Sequence, residues 1–483
     1  MACALLREGR LADAEQLMVK ELQVAEQRYG RGSPEWASAQ CDLGNILLGG
    51  GQANRAVECF RSACSGPVPD GPEVRKDFLT YQLNLGVALA MTGRLDEAET
   101  ALRRNLQERL AFYGREHAGY AFGLEIMADV LFARGKIGEA RVVIEETLGN
   151  FRRNGHERVA AALALRADIV TAEGGNEPLF PGLENLSDEI AKQMAAEVLD
   201  RAGRHPATAI AVLSGLVTVL DARFGPDHQV TLNALSCLAN ISRDLGDQEL
   251  RVGAIRKVLA SYDRQGRAED ALGTACGLAL AQGDAGDTTG SLRTYAQAQT
   301  LADRIGRPEL SSQLLRNWGL ALAEADQPAE AEQRMREAVA AAGLGHDREM
   351  LGRAQVALGL FLQHHERLAE ARDAVEAGLA ALDAAHPDAV VGRSHLGAII
   401  AGRTCGCGDL QGAITEAFRE FVLSRLPQDL LARLEVTIED KKFNVKVELR
   451  RAPAEDELER MNRVIQGATA EFRQRLASVK YAS

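Results

Sequence analysis

One helix–turn–helix pattern recurs along the chain at a fixed spacing, and this spacing limits the possible folds most strongly. A glycine suited to ending a helix occurs four times, 42 residues apart, at Gly9, Gly51, Gly93 and Gly135. Glycine tolerates the left-handed backbone that such an ending uses. Each glycine is followed five residues later by an alanine, at Ala14, Ala56, Ala98 and Ala140. A repeat of roughly 20–50 residues with helical punctuation predicts a solenoid of stacked helix pairs.

The pattern continues beyond these four repeats at shorter spacings. Further turns are predicted at Gly174, Gly203, Gly246, Gly286, Asp326, Glu366 and Gly408. A small residue stands seven positions before every turn, where two helices would cross; in chain order these are Ala2, Gly44, Gly86, Ala128, Ala167, Ala196, Ala239, Ala279, Gly319, Gly359 and Ala401. Their common register makes a chance match implausible, even in a chain rich in alanine and glycine.

This pattern resembles the tetratricopeptide repeat, and its long period is similar to that of kinesin light chains and many bacterial scaffolds. The segments 29–34, 113–117 and 224–228 are similar to the family's aromatic–Gly–x–x–His–Pro connection. The resemblance covers residues 1 to about 425. It implies a mainly α fold, a right-handed α-solenoid of helix–turn–helix repeats.

The chain departs from the family pattern early in the first helices. Gln40, Gln82 and Leu124 stand where the family has a large aromatic residue. Individual repeats are therefore expected to be locally weak.

Composition shifts divide the chain into four predicted parts. The stretch 174–182 holds three glycines and two prolines, which disfavour a helix. We predict a repeat array over 1–173, an irregular joint over 174–186 and a second array over 187–426. A degenerate repeat with continuous packing is the alternative to a joint. Residues 427–483 form a separate appendix.

The appendix has its own pattern. Residues 434–438 and 443–449 alternate apolar and polar side chains, which predicts two strands joined as a hairpin. A helix is predicted from about 454 to 476, with an apolar stripe along it. Such an appendix could join copies of this chain into a homo-oligomer, dock on a partner, or cap the last repeat.

Charge and composition narrow the partner classes. The net charge of −12 argues against nucleic acid, because phosphate contact needs a basic surface. No apolar run reaches the roughly 18–20 residues that span a bilayer, and no secretion signal is apparent. The eight cysteines are scattered, which favours thiols in a reducing compartment. We therefore expect a cytoplasmic protein with no membrane partner.

No motif in the sequence indicates catalysis. Cys405 and Cys407 flank one glycine and make at most half a zinc site. His364 and His365 are adjacent, so on a helix they point about 100° apart and cannot easily share an ion. No phosphate-binding loop is present. The sequence therefore predicts no enzyme, no cofactor and no metal.

The resemblance implies a groove lined by the first helix of each pair. Carried over by register, its lining includes four residues just after the small residue and four earlier in the helix: Asn45, Asp129, Asp168, Asn240, then Asn233, Gln313, Arg316 and Arg353. In the family, asparagines there commonly hold the backbone of an extended peptide; the alternative is that these are solvated polar residues. The predicted groove is acidic in the first array and basic around Arg316 and Arg353.

Three functions remain open at this stage. The leading one is a non-enzymatic scaffold or adaptor whose groove binds a peptide or protein. The second is a regulator that senses a small ligand or signalling peptide. The third is an accessory subunit that docks on an enzyme through residues 427–483.

Overall fold

The computed structural model describes residues 10–66, 71–383 and 386–400 as continuous stretches. It also describes Leu5, Gly402 and parts of the C-terminal segment: 418–419, 422–423, 425–426, 431–439, 442–449, 461 and 464–469. The predicted turns at Gly9 and Gly408 lie outside the described residues, and so do Cys405 and Cys407. Two compact units are present, Met1–Leu245 and Gly246–Ser483.

The first unit is a stack of helices in which each packs against the next in sequence. The helices are α1 (Leu11–Tyr29), α2 (Pro34–Gly49), α3 (Ala53–Ala63), α4 (Pro72–Met91), α5 (Leu95–Tyr113), α6 (Ala118–Ala133), α7 (Ile137–Arg153), α8 (Val159–Glu173), α9 (Asp188–Arg204), α10 (Pro206–Phe224) and α11 (Gln229–Leu245). A 3₁₀ turn, Leu183–Asn185, lies between α8 and α9.

Within the second unit, each helix likewise packs against the next in sequence. Its helices are α12 (Gln248–Gln265), α13 (Ala268–Asp284), α14 (Thr288–Ile305), α15 (Pro308–Glu324), α16 (Pro328–Gly345), α17 (Arg348–His364), α18 (Leu368–Ala381) and α19 (Pro387–Ile400). Two strands follow, β1 (Leu431–Glu439) and β2 (Lys442–Leu449). The predicted α-solenoid fold class is therefore confirmed.

The predicted turns have left-handed backbone at every described position but one. The residues concerned have φ between 57° and 81°: Gly51, Gly93, Gly135, Gly174, Gly246, Gly286, Asp326 and Glu366. The prediction at Gly203 was wrong, because α9 runs on to Arg204. The helix ends at that point because Pro206 disfavours helical backbone in the residue before it.

The glycines among the predicted small residues lie at helix crossings, whereas Ala196 is exposed on α9, so the prediction was wrong there. Ala2 and Ala401 lie outside the described residues. A β-carbon added to Gly86 would lie 2.5 Å from Cδ2 of Leu102, a fully buried residue on the second helix of the pair. Gly44 faces Phe60, Gly319 faces Met335 and Gly359 faces Val375 with comparable closeness. The alanines after the first four turns are also fully buried: Ala14, Ala56, Ala98 and Ala140.

The aromatic–Gly–x–x–His connections cap the helix that follows them. The rings of Tyr113 and His117 stack with centroids 4.8 Å apart, and His117 Nδ1 accepts the N–H of Gly119 at 2.9 Å. In the earlier connection, at residues 29–34, Ser33 caps the next helix by accepting the N–H of Trp36 at 3.2 Å. A side-chain acceptor at this position satisfies an otherwise unpaired helical N–H.

The Gly/Pro stretch at 174–186 lies inside the first unit and is held by arginines. Arg166 donates to the carbonyl oxygens of Pro178 at 2.8 Å and Leu179 at 3.2 Å. Arg223 donates to the carbonyl of Leu183 at 2.6 Å. The helices on either side, α8 and α9, pack against each other. The segment thus occupies the place of a second helix.

The C-terminal strands form the predicted hairpin. β1 and β2 pair antiparallel, with Glu439 opposite Lys442. Within the predicted helix from 454 to 476, the described residues 461 and 464–469 are helical.

One described helix, Pro206–Phe224, is long and apolar enough to cross a membrane by length and composition. In the structure this helix, α10, packs against α8, α9 and α11. Leu213, Leu216 and Leu220 on it are fully buried. That packing is typical of the core helix of a repeat array.

Candidate functional site

The side chains predicted to line the groove fall into an exposed amide set and two charge-paired clusters. Asn45 is exposed on α2, and its Oδ1 accepts a hydrogen bond from Asn84 on α4 at 3.1 Å. Asn84 also points Nδ2 at the Cys41 sulfur, 3.6 Å away. Successive first helices are therefore linked by amide side chains at their surface.

Exposed amides recur at the end of the first unit. Asn233 and Asn240 are both exposed on α11. Asn233 accepts from Gln229 at 2.8 Å, and Asn240 has no hydrogen-bond partner in the described part of the chain. Free amide groups of this kind can both donate to and accept from a peptide backbone.

The predicted acidic residues of the first unit are paired rather than free. Asp168 is 2% exposed; its carboxylate accepts from Arg201 Nε at 2.6 Å and from Thr208 Oγ1 at 2.7 Å. Asp129 is 3.0 Å from Arg201 Nη1, although its side chain is 44% exposed. Asp168 is thus a buried structural residue and cannot line an open groove.

Arg201 defines a cleft between α6 and α9, which we call the α6–α9 cleft. Its guanidinium joins Asp129 on α6 to Asp168 on α8, so α8 forms the floor. One turn further along, Phe132 of α6 meets His205, which follows α9, edge to face at 5.2 Å. The sequence pattern missed this cleft because the compressed repeat brings Arg201 and His205 within reach of Asp129 and Phe132 on α6.

A second ion pair lies at the other end of the same face. Arg158 donates to both oxygens of the buried Glu125, at 2.6 and 2.8 Å. Its guanidinium also lies 4.7 Å from the ring centroid of Phe122. Burial raises the pKa of Glu125, and Arg158 opposes that rise.

The basic residues predicted in the second unit converge on one buried carboxylate. Asp388, 6% exposed, accepts from Arg353 Nε at 2.9 Å, and Arg316 Nη1 lies 3.6 Å from the same oxygen. Gln313 is half-buried on the same helix as Arg316. Asp388, which the sequence reasoning did not identify, therefore offsets one of the two positive charges, and Glu349 lies 4.0 Å from Arg353.

The opposite surface, formed by second helices, carries ion pairs between repeats. Arg61 lies 3.1 Å from Glu97, Arg103 lies 3.0 Å from Glu139, and Arg336 lies 3.1 Å from Glu370. In each pair the arginine stands ten residues after one turn and the glutamate four residues after the next. These side chains therefore form ion pairs between neighbouring repeats.

The thiols and histidines do not form a reactive or metal-binding centre among the described residues. No group of three or more His, Cys, Asp or Glu side chains there could hold a metal ion. Burial raises the pKa of Cys41 to about 11 and that of Cys276 to about 12, which keeps both thiols protonated and unreactive at neutral pH. His364 and His365 are exposed.

Residues 78–119 match the tetratricopeptide repeat family, which confirms the resemblance inferred from the periodicity. No curated protein matches the chain.

Solved structures similar to this chain are distant. A putative kinesin light chain from Podosopora anserina with nearly identical TPR-like repeats is 17% identical, with coverage of 48% of this chain and 98% of that one and a TM-score of 0.33. For BtubC from P. vanneervenii the identity is 14%, the coverage 53% and 90%, and the TM-score 0.27. For yeast Tom70 the values are 12%, 92% and 97%, and 0.28. At these scores the likeness bears on neither partner nor function.

Proposed function

We propose that this chain, with its tetratricopeptide-like repeats, is a non-enzymatic scaffold that binds a peptide or protein segment along its first helices. The observation that carries the proposal is the exposure of amide side chains on those helices: Asn45 and Asn240 are exposed at the same register, five repeats apart. On the second helices, equivalent surface positions are occupied by ion pairs between repeats.

The chemistry of amides suits recognition of an extended chain. An asparagine offers two N–H donors and a carbonyl acceptor, which match the alternating C=O and N–H groups of a peptide backbone. A repeat array presents such groups at regular intervals on a continuous surface. Such recognition reads the peptide backbone, so it needs no catalytic group.

Site-specific photo-crosslinking in the native cell tests this proposal. A photoreactive residue at Asn240 on α11 is compared with one at Val142, which is 69% exposed on the second helix α7. We expect a discrete crosslinked partner from Asn240 and none from Val142. Equal capture from both positions, or capture from Val142 alone, would place binding elsewhere.

Substitution then measures affinity for the captured partner. Asn45→Ala and Asn240→Ala together should weaken binding about tenfold, since each lost hydrogen bond costs roughly 0.5–1.5 kcal/mol. Unchanged affinity in the double variant would remove the amides from the binding surface.

A further inference from the structure

The α6–α9 cleft holds more negative than positive side chains. Four carboxylates share it with two guanidinium groups: Glu125, Asp129, Asp168 and Glu197, with Arg158 and Arg201. His205 adds no compensating charge at neutral pH, because burial and the nearby Arg201 lower its pKa. Arg204 also acts on His205 but is paired with Asp200, so two negative charges are left uncompensated in a partly desolvated cleft.

Two of the four carboxylates are accessible. Asp129 is 44% exposed even with Arg201 beside it. Glu197 is half-buried on α9, one turn before Arg201, and forms no hydrogen bond or ion pair within the described residues. It contributes to the electrostatics of Glu125 and Arg158, so its charge lies at the Arg158 end of the cleft.

A buried donor in the same cleft also lacks an acceptor. Arg201 is 7% exposed, and its Nη2 has no hydrogen-bond partner in the part of the chain that is described. The other two guanidinium nitrogens bind the floor and the opposite wall. Buried donors are rarely left unpaired, and Nη2 has almost no contact with solvent, so an acceptor from a ligand reaches it only if the side chains that enclose it move apart.

The cleft already binds one guanidinium group, that of Arg158, through contacts that would also suit the guanidinium group of a ligand. Arg158 combines two charge-assisted hydrogen bonds to Glu125 with a cation–π contact to Phe122. Both interactions favour a cation strongly when water is partly excluded. Three residues beyond Asp129 on α6, Phe132 provides the next aromatic ring.

We propose that the α6–α9 cleft takes an arginine or lysine side chain of the partner peptide, bound between Asp129 and Glu197. The inference rests on the proposed scaffold function and specifies its partner as a basic segment. Steering by the net charge of −12 would favour the same partner during encounter.

A short basic peptide is the probe. A fluorescein-labelled nonapeptide with arginine at every third position, separated by alanine and glycine, is titrated with the full chain and followed by anisotropy. The control peptide has the same sequence with glutamate in place of each arginine. We expect binding of the arginine peptide only, and Glu197→Gln should weaken that binding about tenfold, because hydrogen bonds to charged groups contribute about 1.5–3 kcal/mol.

Asp221→Asn is the matched control. Asp221 is exposed near the C-terminal end of α10, and its side chain forms no hydrogen bond or ion pair within the described residues, so its substitution makes the same change in net charge without touching the cleft residues. We expect affinity within about twofold of the unsubstituted chain. An equal loss in the Asp221 and Glu197 variants would mean diffuse attraction and would overturn the inference.

The outcomes separate this inference from the proposed function. If the partner crosslinks from Asn240 but the arginine peptide does not bind, the scaffold stands and the basic-partner assignment fails. If the arginine peptide binds through Glu197 while no partner crosslinks from Asn240, binding of a basic side chain in the cleft is supported and binding at the amide surface is rejected.

Discussion

Arg353 donates from Nε to Oδ2 of Asp388 at 2.9 Å, joining the first helices α17 and α19. Arg316 on α15 approaches the same oxygen at 3.6 Å. Three successive first helices of the second unit are therefore connected through one carboxylate. A charge reversal at Arg316 and Arg353 would place three carboxylates together, so it would test stability before it tested binding.

Asp388→Asn should destabilise the second unit by about 1–3 kcal/mol, because it leaves two guanidinium groups without their carboxylate. The arginine side chains are 15% and 26% exposed, so water limits the loss. Urea unfolding measures it. Asp373→Asn, at an exposed position on α18, is the control with the same charge change. Equal midpoints for the two variants would contradict a structural role for Asp388.

Gly86→Leu should cost at least about 1–3 kcal/mol, because the side chain would overlap Leu102 in a close-packed crossing. Gly149→Leu is the matched control on the helix α7, where an added β-carbon meets open space. That substitution should be neutral or slightly stabilising, since glycine weakens a helix interior. Thermal melting compares them, and an unchanged midpoint for Gly86→Leu would refute the crossing. The loss could take the form of a separate early transition, since repeats unfold locally.

The parts of this fold that could be predicted are those determined within one repeat. A left-handed turn residue, a small residue at a crossing and a buried alanine each follow from backbone geometry and repeat together. Asp326 and Glu366 show the strength of that register, since both adopt the turn conformation without glycine's freedom. The position of Gly203 could not be predicted because Pro206 dictates the helix end there.

The charge partners on the first helices could not be predicted from the pattern. Arg201 reaches Asp168 and Asp129, which precede it by 33 and 72 residues. Which helices lie side by side depends on how the segment 174–186 replaces a second helix, and the repeat pattern carries no information on that. Register alone therefore placed Asp129 and Asp168 in the groove without revealing their pairing with Arg201, whereas Asn45 and Asn240 are exposed.

His117→Ala should destabilise the first unit by about 0.5–2 kcal/mol, because the N–H of Gly119 loses its cap. His117→Ser is the informative companion, since Ser33 caps the equivalent helix α2. The serine variant should recover the capping part of the loss and leave only the lost stacking on Tyr113. Urea midpoints of the three chains test this. If serine and alanine behave alike, the hydrogen bond is not what the histidine contributes.

Acidification should destabilise the second unit through His395. Its Nδ1 lies 2.7 Å from Oε1 of Gln363, a buried side chain, so the neutral ring donates to that amide. Burial lowers the pKa of His395 in the folded chain. In the unfolded chain the histidine has its ordinary pKa of about 6.5. Between these two values the unfolded chain binds more protons, so stability is complete above about pH 6.5 and declines as the pH falls.

His395→Gln isolates that contribution, because glutamine keeps a donor for Gln363 and does not titrate. The difference in melting midpoint between the two chains at about pH 7.5 measures any packing cost of the substitution. On going to about pH 5 the midpoint of the unsubstituted chain should fall further than that of the variant, so the difference should narrow or reverse. If the two curves stay parallel over this range, His395 takes up its proton equally in the folded and unfolded chains, and burial does not oppose its charge.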